Sequence, residues 1–374
     1  MTIIKDILTK SSQKDKKKVA IIGTNGIPAK YGGFETLAEN LVNQLNTEFH
    51  FIVYCSNIYK KNDRAYTFEN TQLVYLPFKA NGIQSLFYDF FSFIHALIFA
   101  KTILFLGPTS SGIITFLNRI VNRNLLVNHG GLNEWEREKY TQNEKRWAKF
   151  NHKIASKNAT VNITDNTLLK KSISEAFKAD SIVIRYGGDH SKEFKLSNEA
   201  QSNYNFLNSK FYLSVARAQV DNNIHLLIDA FKNINTHPLV IISNWDISEY
   251  GKNILEKNKD QPNIILLNAI YDINILNAIR SSCYVYIHSH SFCGTAPSLV
   301  EVMNLNVPII CFDVPTNRET TENQSFYFDS VETLQKTIKT IDSNDLFNCK
   351  KSMFEIAKKE YRWNKISKQY SNIF

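Results

Sequence analysis

Short apolar runs alternate with amphipathic segments along the chain, and this alternation restricts the possible folds more than any other feature. The helical segments between the runs include Leu37–Leu45 and Leu168–Phe177. Strand–helix–strand alternation is typical of a parallel sheet with helices on both faces. The strands predicted in the first half of the chain are Val19–Gly23, Phe51–Tyr54, Leu73–Leu76, Ile103–Leu106, Leu125–Val127, Thr160–Ile163 and Ile182–Ile184.

The alternation stops at a polar segment, residues 187–210, and then restarts, which indicates two successive domains. A chain of 374 residues also suits two domains of ordinary size better than one core. We therefore predict an α/β fold with two facing Rossmann-like domains, 1–195 and 196–356. Ligands are expected in the cleft between them, because such sheets bind ligands beyond the carboxyl ends of their strands. The strands predicted in the second domain are Phe211–Val215, Leu239–Ile242, Ile264–Leu267, Tyr284–Ile287 and Pro308–Phe312.

The composition excludes some classes of protein and leaves several partners open. Hydrophobic residues make up 43% of the chain and charged residues 21%, a balance that excludes wholesale disorder. The net charge of +9 suits a nucleic acid, an acidic membrane surface or a phosphorylated ligand, and does not choose among them. The five dispersed cysteines indicate reduced thiols in a cytosolic protein rather than a zinc site or a disulfide framework.

One segment, Leu86–Leu106, resembles a membrane span. Asp89, His95 and Lys101 interrupt it, so we interpret it as a helix followed by a strand. The polar N-terminus does not have the pattern of a signal peptide. The sequence therefore predicts a cytoplasmic protein that is soluble or attached to a membrane only at its surface.

The loop after the first predicted strand, Gly23–Thr36, lacks the GxGxxG pattern of dinucleotide-binding folds. Gly32 and Gly33 would let the backbone pass close to a ligand, with Thr36 and the following helix N-terminus donating to a phosphate or sugar oxygen. The alternative is an ordinary flexible loop between a strand and a helix.

The segment His288–Met303 follows a strand and opens a helix at Pro297 and Ser298. Exposed amides, Thr295 and Ser298 could seat a diphosphate, and Glu301 could accept hydrogen bonds from ribose hydroxyls. The alternative is a capped helix on which Glu301 is a solvated charge.

Two further side chains follow predicted strands. Arg217 could neutralise a diphosphate leaving group, although a lone arginine is more often a surface charge. His129 could bind a sugar hydroxyl or act as an acid or base, although a structural role is the commoner one. The predicted helix Glu134–Ala155 behind His129 interleaves aromatic with basic residues, which fits a membrane-facing surface or a solvated helix with an aromatic core stripe. Its basic residues, with the one just beyond it, are Arg137, Lys139, Lys145, Arg146, Lys149, Lys153 and Lys157.

Five stretches resemble, in the same order, the bacterial rhamnosyltransferase-type branch of glycosyltransferase family four, whose members are retaining enzymes with the two-domain GT-B fold. They are GTNGIPAKYGGFETLAENL, RAQVDNNIHLLIDAF, SHSFCGTAPSLVEVM, FDVPTNRE and YRWNKISKQYSNIF. The resemblance implies that residues 357–374 form a helix returning to the N-terminal domain.

The resemblance also implies roles for individual residues. Arg217 and Glu301 would bind the donor diphosphate and ribose and, with His129, would take part in catalysis. The donor-binding set is Gly32, Gly33, Arg217, Asn222, Gly294, Thr295, Ala296, Pro297, Ser298, Leu299 and Glu301. The acceptor-binding set is Phe34, Glu35, Thr36, His129 and Glu134.

The chain departs from the family pattern at three places. Cys293 replaces the first glutamate of the E-x7-E motif, and Asn222 replaces a lysine that usually follows Arg217. An Asp-Gly pair usually precedes Glu134-Trp135, where this chain has Leu132-Asn133. These departures leave the donor sugar and the role of His129 open.

The resemblance implies transfer of a sugar from a nucleoside diphosphate to a lipid-linked glycan acceptor in surface polysaccharide biosynthesis. Rhamnose from dTDP-rhamnose is the first choice and a UDP-sugar the second, with no metal or other cofactor and no nucleic acid partner. The acceptor would be carried on a polyprenyl diphosphate at the inner face of the cytoplasmic membrane. The alternatives are a nucleotide-sugar epimerase or hydrolase of the same fold, and a non-catalytic nucleotide-binding or nucleic-acid-binding protein.

Overall fold

The computed structural model describes residues 16–29, 32–60, 64–137 and 140–374. The chain divides into two compact units. The first unit comprises Met1–Ile184 and Trp363–Phe374, and the second comprises Arg185–Arg362. The N-terminal residues 1–15 and part of the first glycine-containing loop, residues 30–31, lie outside the described residues.

The unit boundaries differ from the predicted domain boundaries, 195/196 and 356/357, because the segment after Ile184 bonds within the second unit. Gly188 N donates to Tyr361 O at 2.8 Å, and the Arg185 guanidinium lies 3.4 Å from a Glu319 carboxylate oxygen. The predicted start of the returning segment, residue 357, falls inside a helix that runs on to Glu360. Residues 185–195 and 357–362 therefore belong to the second unit.

The first unit is built on an eight-stranded sheet in the order β3-β4-β2-β1-β5-β6-β7-β8, parallel except for the β3–β4 pair. Its strands are nearly continuous apolar runs because helices cover both faces of a parallel sheet. The strands are β1 (Lys17–Ile22), β2 (Phe49–Cys55), β3 (Thr67–Phe68), β4 (Thr71–Tyr75), β5 (Thr102–Leu106), β6 (Asn124–Asn128), β7 (Val161–Thr164) and β8 (Ile182–Val183).

The helices of the first unit alternate with its strands. On the helix Gln84–Phe99, the buried side chains of Tyr88, Phe93 and Leu97 pack against residues of β1, β2 and β5. The helices are α1 (Gly33–Leu45), α2 (Gln84–Phe99), α3 (Asn118–Val121), α4 (Gln142–Asn158) and α5 (Thr167–Phe177), with 3-10 turns at Gly112–Leu117 and Glu134–Glu136. The apolar segment Leu86–Leu106 thus forms most of α2 and then β5. None of the helices in the described ranges is both long enough and apolar enough to cross a membrane.

The predicted helix Glu134–Ala155 is wrong at its start. The structure has one 3-10 turn at Glu134–Glu136, and α4 begins at Gln142. Thr141 caps α4 by accepting from the Glu144 amide, while the Glu144 carboxylate accepts from the Thr141 amide. This capping box gives the helix a better start than the earlier acidic cluster does. Lys139 of the predicted basic helix lies outside the described residues.

The second unit contains a six-stranded parallel sheet in the order β11-β10-β9-β12-β13-β14. Its strands are β9 (Tyr212–Val215), β10 (Leu239–Ser243), β11 (Ile264–Asn268), β12 (Val285–His288), β13 (Ile309–Phe312) and β14 (Phe326–Phe328). Its helices are α6 (Asn198–Ser202), α7 (Ile224–Phe231), α8 (Glu249–Asn258), α9 (Ile273–Ser282), α10 (Pro297–Met303), α11 (Pro315–Thr320), α12 (Val331–Thr340) and α13 (Ser343–Glu360), with 3-10 turns at Asn205–Asn208, Val220–Asn222 and Trp245–Ile247.

The last helix, α14 (Trp363–Ser371), belongs to the first unit. Asn128 Nδ2 donates to the Tyr370 hydroxyl at 2.8 Å, and Thr102 Oγ1 donates to the Phe374 carbonyl at 2.9 Å. These bonds attach the C-terminus to the ends of β5 and β6.

Candidate functional site

In the second unit, the carboxyl edge of the sheet offers a ligand site at the junction of β9 and β12. The chain leaves β9 toward β10 on one side, while β12 leads to β13 on the other. Such a switch in strand order opens a crevice between the two loops that leave the strands. Arg217 lies in the loop after β9, where its side chain is exposed, and Gly294–Leu299 follow β12.

The loops after β9 and β12 are tied to each other by hydrogen bonds. Ser289 Oγ donates to the Asn222 carbonyl at 2.5 Å, and Asn223 Nδ2 donates to the Ser289 carbonyl at 3.0 Å. Ser291 N donates to the Asp221 carbonyl at 2.9 Å. The two loops therefore form one preorganised edge.

Asn222, a predicted donor-binding residue, supports the loop after β9, and its contact with the donor stays a prediction. The Asn222 side chain is buried, and its amide nitrogen donates to the Arg217 carbonyl at 2.8 Å. Asn222 therefore stabilises the loop that carries Arg217, which is a positioning role.

The segment leading into α10 is mostly buried. Gly294, Thr295, Ala296 and Leu299 have little exposed surface, whereas Pro297 and Ser298 are half-buried at the start of the helix. Leu299 N donates to the Ala296 carbonyl at 3.0 Å. The Ala296 and Leu299 side chains belong to the core, so the predicted donor contact from these two positions is restricted to their backbone.

Cys293 occupies the place of the first glutamate of the family motif. Its thiol is buried and donates to Asn317 Oδ1 at 3.1 Å, while Asn317 Nδ2 donates to the His290 and Phe312 carbonyls. This position therefore links the β12 loop to the start of α11.

Glu301 is a largely buried carboxylate with two partners at this edge. One carboxylate oxygen lies 2.9 Å from Arg280 Nη1, and the other lies 3.3 Å from His190 Nε2. Arg280 is buried on α9 and His190 lies in the segment after β8. Both partners lie far from Glu301 in sequence and carry no recognisable motif, so sequence reasoning missed them.

The electrostatics keep Glu301 ionised. Burial acts to raise the pKa of the Glu301 carboxyl, but the Arg280 charge and the His190 hydrogen bond outweigh it and lower that pKa below its usual value. Each carboxylate oxygen has a second lone pair, so Glu301 keeps capacity to accept from a ligand hydroxyl. This capacity suits a ribose.

His288 was also not identified from the sequence. It ends β12, is buried, and neither ring nitrogen has a hydrogen-bond partner within the described ranges. Burial, and then the neighbouring His290, lower the pKa of His288 well below its usual value. His288 is therefore a neutral ring at neutral pH.

In the first unit, the Glu35 side chain stabilises the glycine-containing loop after β1 by hydrogen bonds. Glu35 is buried, and its Oε1 accepts from both the Asn25 amide and Asn25 Nδ2 at 2.8 Å. A Cβ on Gly32 would lie 2.1 Å from Glu35 Oε2, and the Gly32 φ of +126° already favours glycine. The Glu35 carboxylate thus holds the loop through Asn25, and its contact with an acceptor stays a prediction.

The helix start beyond this loop presents Phe34 and Thr36. Thr36 Oγ1 donates to the Gly32 carbonyl at 3.1 Å and can still accept one hydrogen bond. The Phe34 ring covers Gly107, which follows β5, and Gly130, which follows β6. Gly33 and Phe34 are half-buried, so both remain placed at the carboxyl edge of this sheet.

Asp165 joins this edge and was not predicted. It follows β7, its amide donates to the Gly130 carbonyl at 3.0 Å, and its Oδ1 accepts from Asn166 Nδ2 at 2.7 Å. A Cβ on Gly131 would lie 2.3 Å from the Asp165 carboxylate oxygens. The two glycines after His129 thus make room for a carboxylate beside them.

His129 lies in a buried hydrogen-bond network of the first unit. Its side chain is buried, with Nε2 3.0 Å from Asn162 Oδ1 and Nδ1 2.9 Å from His152 Nδ1. The Asn162 amide nitrogen donates to the Ser156 and Asp180 carbonyls, which fixes Oδ1 as the acceptor and places the His129 proton on Nε2.

The position of the proton on His129 also determines which ring nitrogen of His152 is protonated. Because His129 Nδ1 then accepts, His152 Nδ1 must donate, and His152 Nε2 accepts from Thr109 Oγ1 at 3.1 Å. Burial lowers the pKa of His129 to about 4, and burial together with His129 lowers that of His152 further below its usual value. Both ring nitrogens of His129 therefore have protein partners, and its catalytic and acceptor-binding roles stay predictions.

Glu134 lies in the 3-10 turn, where its carboxylate oxygen is 3.5 Å from the Arg137 guanidinium. Trp135 beside it is buried and packs edge-on against His152 and Phe177. Glu134 therefore stays a partly exposed carboxylate near the first unit's edge, and its acceptor contact stays a prediction.

Gly23 offers a direct test of how tightly the first loop is built. Its φ is +81°, and a Cβ there would lie 2.0 Å from the Leu106 carbonyl oxygen. We expect Gly23→Ala to lower the free energy of unfolding by about 3 kcal/mol or more, because strain and overlap with backbone add together. Gly82→Ala is the matched control, since Gly82 has φ +69° and no described heavy atom within 4 Å of its Cβ position.

The control variant should lose only about 1 kcal/mol, the cost of a left-handed backbone. Urea unfolding of the two variants measures the difference. Equal losses would contradict the close approach of the loop to β5.

Within the described ranges, no cluster of three or more His, Cys, Asp and Glu side chains is arranged to share a metal ion. All five cysteines are buried free thiols.

Each unit has a sheet of parallel strands, apart from the β3–β4 pair, and solved structures of glycosyltransferases share this architecture. The predicted α/β fold with two Rossmann-like domains of the GT-B type is therefore confirmed. Residues 197–360 match the family Glycosyl transferases group 1, and residues 16–189 match Domain of unknown function (DUF1972). The second unit therefore carries a group 1 domain, and the protein is a glycosyltransferase. No curated protein matches the chain in sequence.

Solved structures resemble the chain over nearly its whole length. A sucrose-phosphate synthase from Thermosynechococcus elongatus has a TM-score of 0.81 and 16% identity over 96% of this chain and 98% of its own. HepE from Anabaena, solved with UDP and glucose, has a TM-score of 0.73 and 14% identity over the same shares. A glycosyltransferase from Rickettsia africae has a TM-score of 0.72 and 13% identity, again over 96% and 98%. At these identities the likeness concerns the fold.

Proposed function

We propose that the enzyme transfers a hexosyl or deoxyhexosyl group, with rhamnose as the first choice, from a nucleoside-diphosphate sugar to a hydroxyl of a lipid-linked glycan. The observation that carries the proposal is the group 1 domain with an ionised Glu301 held by Arg280 and His190 at the carboxyl edge of its sheet. Solved structures that resemble this chain contain UDP and glucose, or UDP-2-fluoro glucose, which supports a nucleotide sugar as donor.

Arg217 supplies the cation for the leaving diphosphate. The charge that develops during transfer sits on the diphosphate, and a preorganised cation at that position stabilises the transition state more than the ground state. The loop that carries Arg217 is held by the Asn222 side chain and by Ser289. Glu301 accepts from the ribose hydroxyls, and the backbone at Gly294–Ser298 approaches the donor.

In this proposal Gly32 and Gly33 bind the donor phosphates, and Phe34 and Thr36 bind the acceptor glycan. Glu134 and Asp165 add partly exposed carboxylates that can accept from sugar hydroxyls. The anomeric configuration is retained, as the resemblance to the rhamnosyltransferase-type branch implies, and the leaving phosphate accepts the proton of the attacking hydroxyl. The reaction uses no metal ion.

The biological setting in this proposal is surface polysaccharide assembly. The acceptor is a glycan on a polyprenyl diphosphate, and the enzyme works in the cytoplasm at the inner face of the membrane. The net charge of +9 suits both an anionic lipid surface and a diphosphate-bearing acceptor.

A donor screen tests the proposal. The protein is incubated with dTDP-rhamnose, UDP-sugars and GDP-sugars, with and without a polyprenyl-diphosphate sugar, and the released nucleoside diphosphate is measured. We expect release that requires the acceptor and falls about a hundredfold or more in Arg217→Ala, the usual effect of removing one group that stabilises transition-state charge.

Lys257→Ala, which removes an exposed cation from α8 of the same unit, is the control and should retain activity. Release without acceptor would identify a hydrolase, and a changed sugar still attached to the nucleotide would identify an epimerase. Full activity in Arg217→Ala would contradict the assigned role of Arg217.

A further inference from the structure

Helix α2 presents an apolar face to solvent as well as to the core. Ile83 just before the helix is 88% exposed, Phe87 is 51% exposed and Ile98 is 64% exposed. A helix that is apolar on all sides normally lies inside a protein or in contact with lipid. The exposed residues, called here the aromatic face, are Ile83, Leu86, Phe87, Phe90, Phe91, Ile98 and Phe99.

The aromatic face is held in place from both sides. The Phe78 ring stacks on Phe91 with centroids 5.6 Å apart and on Phe87 at 6.0 Å. On the inner side of α2, Tyr88 donates to the Thr24 and Tyr54 carbonyls. The exposed rings are therefore presented on a fixed helix.

Neighbouring helices extend the same surface. Ser85 at the start of α2 donates to Ser110 Oγ at 3.1 Å, and Trp147 Nε1 of α4 donates to the Ser110 carbonyl at 3.0 Å. Arg123 Nε, just after α3, donates to the Leu97 carbonyl of α2 at 2.9 Å. The exposed apolar residues added by these neighbours are Phe116, Ile120, Val121, Trp147 and Phe150.

Cations outnumber carboxylates at the surface of these helices. Of the two acidic residues in residues 84–99, 112–121 and 142–158, Asp89 is buried, and the Glu144 carboxylate accepts from Thr141 at the start of α4. The cations on the same helices are Arg119, Lys145, Arg146, Lys149, Lys153 and Lys157. Exposed aromatic side chains beside cations match the boundary between the acyl chains and the headgroups of an anionic bilayer.

We propose that this surface docks the enzyme on an anionic lipid bilayer. The aromatic face enters the boundary between headgroups and acyl chains, and the lysines and arginines of α3 and α4 contact lipid phosphates. A symmetric contact with a second copy fits less well, because it would bring the same cations together. This inference deepens the proposed function, since it places the enzyme where a lipid-linked acceptor lies.

Co-sedimentation of the full chain with vesicles tests the docking surface. The vesicles contain either phosphatidylcholine alone or phosphatidylcholine with phosphatidylglycerol. We expect binding to the anionic vesicles that weakens as salt is added. The double variant Ile83→Ser, Ile98→Ser should bind the anionic vesicles at least about tenfold more weakly than the wild type, because two apolar side chains no longer enter the interface.

The control is Ile247→Ser, which removes a comparably exposed isoleucine, 54% exposed, from the second unit. Lys149→Glu, with Lys257→Glu as its control, tests the charge without changing the apolar face. Both controls should bind like the wild type, and thermal unfolding checks that each variant is folded.

Binding is measured without donor or acceptor, so its outcome is independent of whether sugar transfer occurs. Wild-type protein that ignores anionic vesicles, or a double variant that binds as the wild type does, would overturn the proposal. A wild-type dimer that dissociates in the double variant would also overturn it, because the surface would then join two copies of the chain.

Discussion

The variant Arg280→Met is expected to lose about 3 kcal/mol of unfolding free energy in the second unit, because it leaves the buried Glu301 carboxylate without its cation. The Arg280 and Glu301 side chains are both largely buried and lie 2.9 Å apart. Methionine fills similar space, so the loss reports the missing charge rather than a cavity. Hydrogen exchange of peptides from residues 185–362 during urea unfolding measures it.

The same variant is also expected to weaken donor binding, because Arg280 holds the Glu301 carboxylate that accepts from the ribose. Loss of one charge-assisted hydrogen bond to the ribose raises the KM for the donor about tenfold or more. Lys252→Met is the control, because it breaks the exposed Lys252–Glu249 pair on α8. We expect that control to change neither stability nor KM noticeably. An Arg280→Met variant as stable as the control would contradict the assigned role of Arg280.

The second large effect concerns the buried histidine pair and Asp89, which respond to pH in opposite directions. The pKa of His129 is lowered to about 4, so the folded state binds fewer protons than the unfolded state between pH 6.5 and 4. Stability from His129 is therefore present above pH 6.5, and about 3 kcal/mol is lost as the pH falls to 4. His152 adds a loss of the same sign.

Asp89 opposes this loss. Burial raises its pKa to about 7, against the effect of the hydrogen bond from Ser111, so the folded state binds more protons than the unfolded state. Asp89 thus adds about 4 kcal/mol of stability as the pH falls from 7 to below 4, and loses it as the pH rises. The first unit of the wild type is expected to change little over this range.

Asp89→Asn exposes the histidine contribution. We expect its stability to match or exceed that of the wild type at pH 7.5 and to fall by about 3 kcal/mol or more between pH 6.5 and 4. Adding His152→Gln should make the fall shallower, whereas adding His237→Gln in the second unit should not change it. Hydrogen exchange of peptides from the first unit gives the profile. If the stability of Asp89→Asn changed as little with pH as that of the wild type, the result would contradict a neutral His129–His152 pair.

Much of the architecture was predictable because it depends on local signals. Apolar runs such as Phe51–Tyr54 and Ile103–Leu106 form strands one or two residues longer at their ends, since a parallel sheet buries both faces. The error at Glu134 arose because an acidic cluster resembles a helix start, while the capping box at Thr141 and Glu144 is what begins α4. The short β14 lacks a strong pattern and was missed.

The candidate site was less predictable, because its side chains are paired by tertiary contacts. Arg217 and Glu301 follow strands and could be identified from position. Arg280 and His190 could not be identified, because no sequence pattern around either residue indicates a contact with the Glu301 carboxylate, which is more than ten residues away from both. The sequence also does not say which glutamate is buried, and the contact of Glu35 with Asn25 in the first loop was not predictable from it.

His129 illustrates the same limit from the opposite direction. A histidine followed by two glycines after a strand has the position of a catalytic base. Only the contacts with His152 and Asn162 reveal that both ring nitrogens are occupied. Its partners lie on α4 and β7, and their spacing from His129 has no sequence signature.

The most direct test of the central claim follows the sugar itself. A donor labelled in the sugar is supplied with a polyprenyl-diphosphate acceptor, and label is measured in the lipid fraction alongside released nucleoside diphosphate. The account predicts equal amounts of both, with the donor's anomeric configuration in the new linkage. Label that appears as free sugar, or an inverted linkage, would contradict it.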